Sequence, residues 1–206
     1  MSSYTEVVQY LESLSIMPKT MPGLEKIKRA LVETEWFSKI NSDKVVIVAG
    51  TNGKGSTCAC LEGLLLQTGK KVGFYSSPHL IETTERIRLN GKQISKEVFV
   101  VSFIRTKSLI ETHQLTHFEA LTLMAGDIFF GHNELDYVIF EVGLGGTYDA
   151  TNAFPHSTSV ITSLSLDHTN ILGNTLKEVA RNKFGIVQKN NKVIHLPLTA
   201  ELSDLK

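Results

Sequence analysis

A short apolar run followed by a glycine-rich turn constrains this chain most. Val45–Ala49 is apolar and mostly β-branched, as expected for a strand buried on both faces of a parallel sheet. A helix-forming segment, 58–67, follows the turn. The turn consists of Gly50, Thr51, Asn52, Gly53, Lys54, Gly55, Ser56 and Thr57. A strand, a glycine-rich loop and a helix in this order are typical of a phosphate-binding loop.

The composition of this loop explains how it would hold a phosphate. Its glycines let backbone N–H groups approach an anion closely, at the positive end of the next helix dipole. Lys54 would add a positive charge for the outer phosphates, and the hydroxyl of Ser56 or Thr57 would bind a phosphate-bound Mg²⁺. The spacing departs from the common G-x-x-x-x-G-K-[ST] pattern, because Gly55 separates Lys54 from Ser56. A glycine-rich turn without a ligand is the alternative.

Bulk composition excludes several classes of protein. The chain has 206 residues, of which 42% are hydrophobic and 20% charged, as expected for a single globular domain over residues 1–206. Its 21 basic and 21 acidic residues give a formal net charge of zero, which argues against nucleic-acid and acidic-membrane partners. Neither a leader pattern nor a membrane-length apolar run is evident, so we expect a cytoplasmic protein. Cys58 and Cys60 are expected to be two buried thiols that cannot chelate a metal together.

Strand and helix patterns alternate along the chain. Apolar runs predict strands at 45–49, 71–76, 136–142, 159–164 and 192–196. Segment 85–94 alternates around Asn90 and Gly91, a pair that favours a tight hairpin. The order predicts an α/β fold with a mostly parallel sheet flanked by helices and a small hairpin insertion. Ligands of such sheets bind at the carboxyl ends of the strands.

Polar side chains follow several predicted strands at that edge. Ser77, Pro78 and His79 follow the second strand, Glu141 ends the third, and His168 follows the fourth. Glu141 ends an apolar run, where a buried carboxylate is costly unless it is paired or binds a metal. Ser77 and His168, each taken alone, are ordinary turn residues. Their placement around one edge favours a common site.

Other residues near this edge have simple structural explanations of their own. Asp149 and Asn152 are common turn formers. Lys183, near the end of a predicted helix, is most simply a surface lysine that complements the helix dipole. These three residues gain a functional interpretation only from the motifs around them.

A series of different short motifs follows along most of the chain. They are PGLEKI at 22–27, AGTNGKGST at 49–57, SPHL at 77–80, ERI at 85–87 with NG at 90–91, FEALT at 118–122, EVGLGG at 141–146, DATN at 149–152, LDHT at 166–169 with LG at 172–173, and KFGI at 183–186. Each is weak alone. Together they resemble the folylpolyglutamate synthase/dihydrofolate synthase branch of the Mur ligase family, whose P-loop NTPase-like central domain would be the fold of this chain.

The resemblance implies an ATP-dependent ligase of folate metabolism. Such an enzyme phosphorylates a carboxylate of a folate or a dihydropteroate, and the amine of L-glutamate then attacks the acyl phosphate. The implied cofactors are ATP and Mg²⁺, the implied partners are these small molecules, and the implied state is a monomer.

The resemblance also assigns roles to individual residues. Residues 50–57 would bind the nucleotide, and the implied catalytic residues are Lys54, Glu141, His168 and Lys183. The implied metal ligands are Ser56 and Glu141 at one ion, and Ser77, Glu141 and His168 at a second. Lys183 matches a lysine that is carbamylated in relatives. The implied substrate-binding residues are Ser77, Pro78, His79, Arg86, Asp149 and Asn152.

Two departures from the family and the chain length temper these expectations. Relatives carry Arg-Leu where this chain has Thr147 and Tyr148, and Ala where it has Phe184. Full members are longer and add a C-terminal domain, so this chain is expected to be a truncated ATP-binding part that binds Mg–nucleotide weakly and does not complete amide synthesis. A catalytically inactive nucleotide-binding remnant and a generic P-loop NTPase are the alternatives.

Overall fold

The computed structural model describes residues 3–15, 23–199 and 202, and Pro22, the first residue of the matched motifs, lies outside the described residues. The helices are α1 (Tyr4–Ser13), α2 (Glu25–Val32), α3 (Lys54–Gln67), α4 (Lys96–Thr112), α5 (His117–Gly126), α6 (Thr169–Leu172) and α7 (Leu176–Phe184). The strands are β1 (Val45–Ala49), β2 (Val72–Tyr75), β3 (Ile87–Leu89), β4 (Lys92–Gln93), β5 (Tyr137–Glu141), β6 (Thr158–Ile161) and β7 (Lys192–His195).

The strands form one mixed sheet in the order β4-β3-β2-β5-β1-β6-β7. All neighbours from β2 to β7 pair in parallel, whereas β3 and β4 form an antiparallel hairpin. Asn90 and Gly91 connect the hairpin with φ of 52° and 79°, the left-handed backbone that a tight turn needs. The predicted α/β fold with a mostly parallel sheet and a hairpin insertion is confirmed.

Alternate residues of the central strand face two different layers. Val45 and Ile47 pack in the larger apolar cluster, which also includes buried side chains of α1, α2, α4 and α5. Val46 and Val48 face the opposite side and pack with Cys58 of α3. The sheet is therefore covered on both faces, which explains the uninterrupted apolar run of β1. None of the helices in the described ranges is long and apolar enough to cross a bilayer.

Several predicted boundaries and one burial prediction are corrected. The helix after the loop begins at Lys54 rather than residue 58, because Gly53 supplies the left-handed turn before it, with φ of 85°. The fourth strand ends at Ile161 rather than residue 164, because the following polar residues bind the glycine-rich loop. The prediction of two buried thiols is wrong, since Cys58 is buried but Cys60 is exposed. The two lie on different faces of α3, and only one faces the sheet.

Candidate functional site at the carboxyl edge of the sheet

Four neighbouring strands end at the same edge of the sheet. Strands β2, β5, β1 and β6 are adjacent and parallel. Val48 is in register with Glu141, and Tyr75 is in register with Phe140. The loops that follow these strands therefore meet, as the sequence predicted. They contain the glycine-rich loop, the segment from Ser77, the turn after Glu141 and the segment before His168.

The glycine-rich loop leads into the first turn of α3. Gly53 is the N-cap residue, and its backbone is left-handed with open space around a Cβ, so its conformation rather than crowding favours glycine. The first N–H groups of a helix have no partner within the helix. The N–H of Thr57 already binds the carbonyl of Gly53 at 2.9 Å. The N–H groups of Lys54 and Ser56 are thus the donors placed to meet an anion, whereas the N–H of Gly55 faces the Glu141 carboxylate.

Thr51 and Asn52 hold the loop in place through the segment after β6. The N–H of Thr51 donates to the Ser163 carbonyl at 2.8 Å, and the N–H of Asn52 donates to the Ser163 hydroxyl at 2.9 Å. Thr162 donates its hydroxyl to the Asn52 carbonyl at 2.8 Å. Their amides are therefore engaged within the protein, and their contact with a nucleotide stays a prediction. The sequence analysis missed Thr162 and Ser163, although polar residues after a strand at this edge were a signal.

Two lysines share one backbone carbonyl beneath the loop. Lys54 Nζ donates to the carbonyls of Gly50 at 3.0 Å and Thr51 at 3.1 Å. Lys183 Nζ donates to the same Gly50 carbonyl at 2.9 Å, and this side chain is only 2% exposed. Burial, and then the positive charge of Lys54, lower the pKa of Lys183 to about 8, while the Asp167 carboxylate opposes the shift. Lys183 is therefore not the surface lysine of the simplest interpretation.

Glu141 lies directly beside the start of α3. Its Oε2 accepts the backbone N–H of Ser77 at 3.2 Å, and the residue is 5% exposed. A Cβ on Gly55 would lie 3.2 Å from Glu141 Oε1, so glycine after Lys54 lets the carboxylate approach the loop. Burial raises the pKa of Glu141, and the N–H of Ser77 and the charge of Lys54 offset part of the rise.

The protein groups near Glu141 suit Mg²⁺ that is also held by phosphate. Within the described residues there is no group of three or more His, Cys, Asp or Glu side chains that could hold a metal alone. Mg²⁺ in nucleotide sites takes one or two carboxylates and completes its octahedron with phosphate oxygens and water. Glu141, with the hydroxyls of Ser56 and Ser77 on the adjoining segments, fits that requirement.

His168 lies on the segment that follows β6, next to Asp167. It has a left-handed backbone with φ of 47°, is half exposed and precedes α6. Its Nε2 lies 3.6 Å from Asp167 Oδ1, and among the described residues no hydrogen bond joins it to Glu141 or Ser77. Its metal role stays a prediction. Asp167 belongs to the LDHT motif but had no predicted role, and its charge acts on Lys183 by opposing the fall of the lysine pKa.

The segment after Ser77 is held by an acidic side chain within it. Glu85 accepts the N–H groups of Leu80 at 2.8 Å, Ile81 at 2.9 Å and Glu82 at 2.7 Å. Leu80 and Ile81 are exposed apolar residues at the tip. Arg86 Nε donates to His79 Nδ1 at 2.9 Å, so these two predicted substrate-binding residues do contact one another. Pro78 lies between Ser77 and His79 on the same segment.

Asp149 and Asn152 are buried behind the glycine turn that follows β5. Asp149 Oδ2 accepts the N–H groups of Gly143 and Leu144, each at 2.9 Å. Asn152 Nδ2 donates to the carbonyls of Thr147 and Gly185, each at 3.1 Å. The geometry gives both side chains a structural role, and their contact with a substrate stays a prediction.

Comparison with known proteins gives a consistent result. No protein-family model matches the chain. A dihydrofolate synthase/folylpolyglutamate synthase from Buchnera aphidicola is 44% identical over 185 residues, covering 86% of this chain and 44% of the relative. E. coli FolC in complex with DHPP and ADP superposes with a TM-score of 0.86 at 39% identity, over 94% of this chain and 46% of FolC. The chain spans less than half of the length of these relatives.

A second solved structure agrees with the first. A bifunctional folylpolyglutamate synthase/dihydrofolate synthase with Mn, AMPPNP and L-glutamate bound superposes with a TM-score of 0.83 at 39% identity, over 95% of this chain and 46% of that protein. The sheet order and the glycine-rich loop before α3 define the P-loop α/β fold of the Mur ligase type. Within that class, the chain belongs to the folylpolyglutamate synthase/dihydrofolate synthase family.

Proposed function

We propose that this chain is the ATP-binding part of an ATP-dependent ligase that adds L-glutamate to dihydropteroate or to folates. One observation carries the proposal: the amides at the start of α3, the amine of Lys54 and the carboxylate of Glu141 converge at one strand edge. Two similar proteins were solved with ADP, and with Mn, AMPPNP and L-glutamate. Their agreement disfavours a generic P-loop NTPase.

The residues of the loop would stabilise charge on the nucleotide. The N–H groups at the start of α3 would hold the β-phosphate, and Lys54 would turn from the Gly50 and Thr51 carbonyls toward the γ-phosphate. Glu141, Ser56 and Ser77 would hold Mg²⁺, which supplies charge stabilisation for the transferred phosphoryl group when bound. His168 would support a second ion from the segment after β6.

The proposed reaction has two chemical steps. A carboxylate oxygen of the folate or dihydropteroate substrate attacks the γ-phosphorus while the bond to the leaving ADP oxygen breaks. The glutamate amine then attacks the acyl carbon, phosphate leaves, and the amine loses a proton. His79 and Arg86, with Asp149 and Asn152 nearby, would border the substrate side. Enclosing such an acyl phosphate would protect it from water.

Lys183 would be carbamylated in the working site. The ammonium group first loses a proton, and the neutral amine attacks the carbon of CO₂. An N–C bond forms as one C–O π bond opens and a second proton is released, so a buried cation becomes an anion. A pKa of about 8 supplies much more neutral amine near neutrality than an ordinary lysine has. An anion beside Lys54 would also relieve the repulsion between the two lysines.

Thermal melting with Mg–ATP tests the proposal. A nucleotide at a hundred times its Kd should add about 2.7 kcal/mol to the free energy of unfolding. Lys54→Ala should lose this gain, whereas Lys70→Ala, at an exposed lysine after α3, should keep it. No nucleotide-dependent gain in the unaltered chain would refute the proposal. Incorporation of labelled L-glutamate then separates a competent ligase from a binding remnant.

A further inference from the structure

The turn after β5 is bonded to the carboxyl end of α7, the helix that carries Lys183. The N–H and the hydroxyl of Thr147 both donate to the Asn182 carbonyl, each at 2.9 Å. Asn152 donates to the Gly185 carbonyl at 3.1 Å and, on its other side, to the Thr147 carbonyl at 3.1 Å. The Asn182 carbonyl also accepts the N–H of Gly185 at 3.2 Å, so the turn adds two donors to a carbonyl at the end of the helix and one donor to the Gly185 carbonyl that follows it.

Close backbone packing shows that this contact is built into the sequence. A Cβ on Gly146 would lie 2.7 Å from the Lys183 carbonyl oxygen and 2.8 Å from that of Asn182. A Cβ on Gly185 would overlap the Thr147 side chain. Glycine at both positions therefore lets the turn and the helix end touch. The pair Thr147–Gly185 is matched, because any larger residue at 185 would displace the threonine.

The two residues whose carbonyls accept these hydrogen bonds flank Lys183 in sequence. Asn182 precedes it and Gly185 follows it by two positions, so both bonds fix the backbone from which its side chain extends. That side chain is buried and reaches the Gly50 carbonyl at 2.9 Å. A change in the pitch of the last turn of α7 would move the amine away from the loop, since the lysine has little free space in which to compensate.

We propose that Thr147 is a positioning residue that sets the location of the Lys183 amine through α7. Asn152 supports the same helix end through its hydrogen bond to the Gly185 carbonyl. The importance of that amine to catalysis rests on the proposed function, but the positioning does not. The neutral Thr147 side chain donates its hydroxyl to the end of the helix that carries the lysine.

Competitive labelling of lysine amines tests this inference directly. The full chain is treated with trace acetic anhydride in CO₂-free buffer, and the labelling of Lys183 is measured by mass spectrometry relative to exposed Lys189. Thr147→Val keeps the shape but removes the hydroxyl, and Thr147→Ser keeps the hydroxyl. We expect Lys183 labelling to rise about fivefold in the valine variant, the factor for one lost hydrogen bond, and to stay at the wild-type value in the serine variant.

Two results would overturn the inference. Unchanged Lys183 labelling in folded Thr147→Val would show that the Thr147 hydroxyl does not position the lysine amine. Equal increases in the valine and serine variants would show that side-chain shape, rather than the hydrogen bond, determines the labelling. Should Thr147→Val fail to fold, Asn152→Ala replaces it, because it releases the Gly185 carbonyl without touching Asn182. Labelling needs neither nucleotide nor carbamylation, so failure of the proposed function would leave this ratio interpretable.

Discussion

A carboxylate lies at each end of strand β5, and the two ends differ in their environment. At the carboxyl end, Glu141 is buried, and burial raises its pKa. Just before the amino end, Asp136 is partly exposed and accepts the N–H of Lys71 at 2.9 Å. That hydrogen bond, helped by neighbouring lysine charges, lowers the pKa of Asp136. One strand therefore carries an unfavourable charge at one end and a favourable one at the other.

The amino end of the sheet has a cavity as well. This cavity of about 550 Å³ lies beside Asp136, with Trp36 and Lys44 in its wall. One of its lysines is bonded locally, since Lys44 Nζ donates to the Leu135 carbonyl at 3.2 Å. At the opposite edge, Glu141 and Lys183 are both buried, and neither forms an ion pair with another described residue. Buried charges without a direct ion-pair partner are costly, which favours that edge as the candidate site.

The largest expected effect tests the close approach of Glu141 to the loop. Gly55→Ala places a Cβ 3.2 Å from Glu141 Oε1 and should displace the carboxylate that we propose to bind Mg²⁺. We expect Mg–ATP affinity, measured by calorimetry, to fall about a hundredfold. Gly63→Ala in the same helix is the matched control, because nothing lies within 4 Å of its Cβ. It should keep the affinity and gain up to about 1 kcal/mol of stability. Equal Mg–ATP affinities in both variants would show that the position of the Glu141 carboxylate does not affect metal binding.

The next effect concerns the cost of the buried lysine. The folded pKa of Lys183 is about 8, below the ordinary value of 10.5, so the charged form destabilises the fold. Lys183→Met should therefore raise the free energy of unfolding by about 2 kcal/mol below pH 8 in CO₂-free buffer. The advantage should fade as pH rises toward 10.5, because the folded wild-type lysine is then neutral.

Chemical denaturation at several pH values measures this effect. The exposed Lys189→Met is the control and should show no such dependence. A Lys183→Met variant that is less stable than wild type at every pH would mean that the bond to the Gly50 carbonyl outweighs the desolvation cost.

Local signals made the strand, loop and hairpin predictable. The apolar run of β1 and the glycines after it carry their own backbone preferences, and Asn90–Gly91 specifies its turn without help from distant residues. The rule that ligands bind at the carboxyl ends of strands then placed Ser77 and Glu141 together.

The rest depends on contacts between distant parts of the chain. Thr51 and Ser165 are 114 positions apart, yet the hydroxyl of Thr51 donates to the Ser165 carbonyl at 3.1 Å. Backbone acceptors of this kind leave no trace in residue type. The hydrogen bond from the Thr147 hydroxyl to the Asn182 carbonyl joins residues 35 positions apart and could not be predicted for the same reason. The burial of Cys60 was predicted wrongly because the rotation of α3 about its own axis against the sheet decides which thiol is buried. That rotation is set by packing.

The smallest expected effects compare the two carboxylates of β5 directly. Burial makes charged Glu141 unfavourable above its raised pKa, so Glu141→Gln should stabilise the metal-free protein at pH 7 by about 1 kcal/mol. This gain should vanish as the pH falls through that pKa, where the wild-type carboxyl is protonated. Asp136→Asn should have the opposite sign, because its charged form is favoured by the Lys71 N–H.

Urea denaturation of both variants at pH 7, at pH 4 and below pH 3.8, the ordinary pKa of an aspartate, makes this measurement without metal. The benefit of charged Asp136 is present at pH 7 and is lost as the pH falls through its lowered pKa, so the deficit of Asp136→Asn should shrink in acid. Each variant serves as the control for the other, since both remove one negative charge from β5 or its approach. The same sign of change at pH 7 in both would mean that net charge, rather than the different surroundings of the two ends, governs their stability.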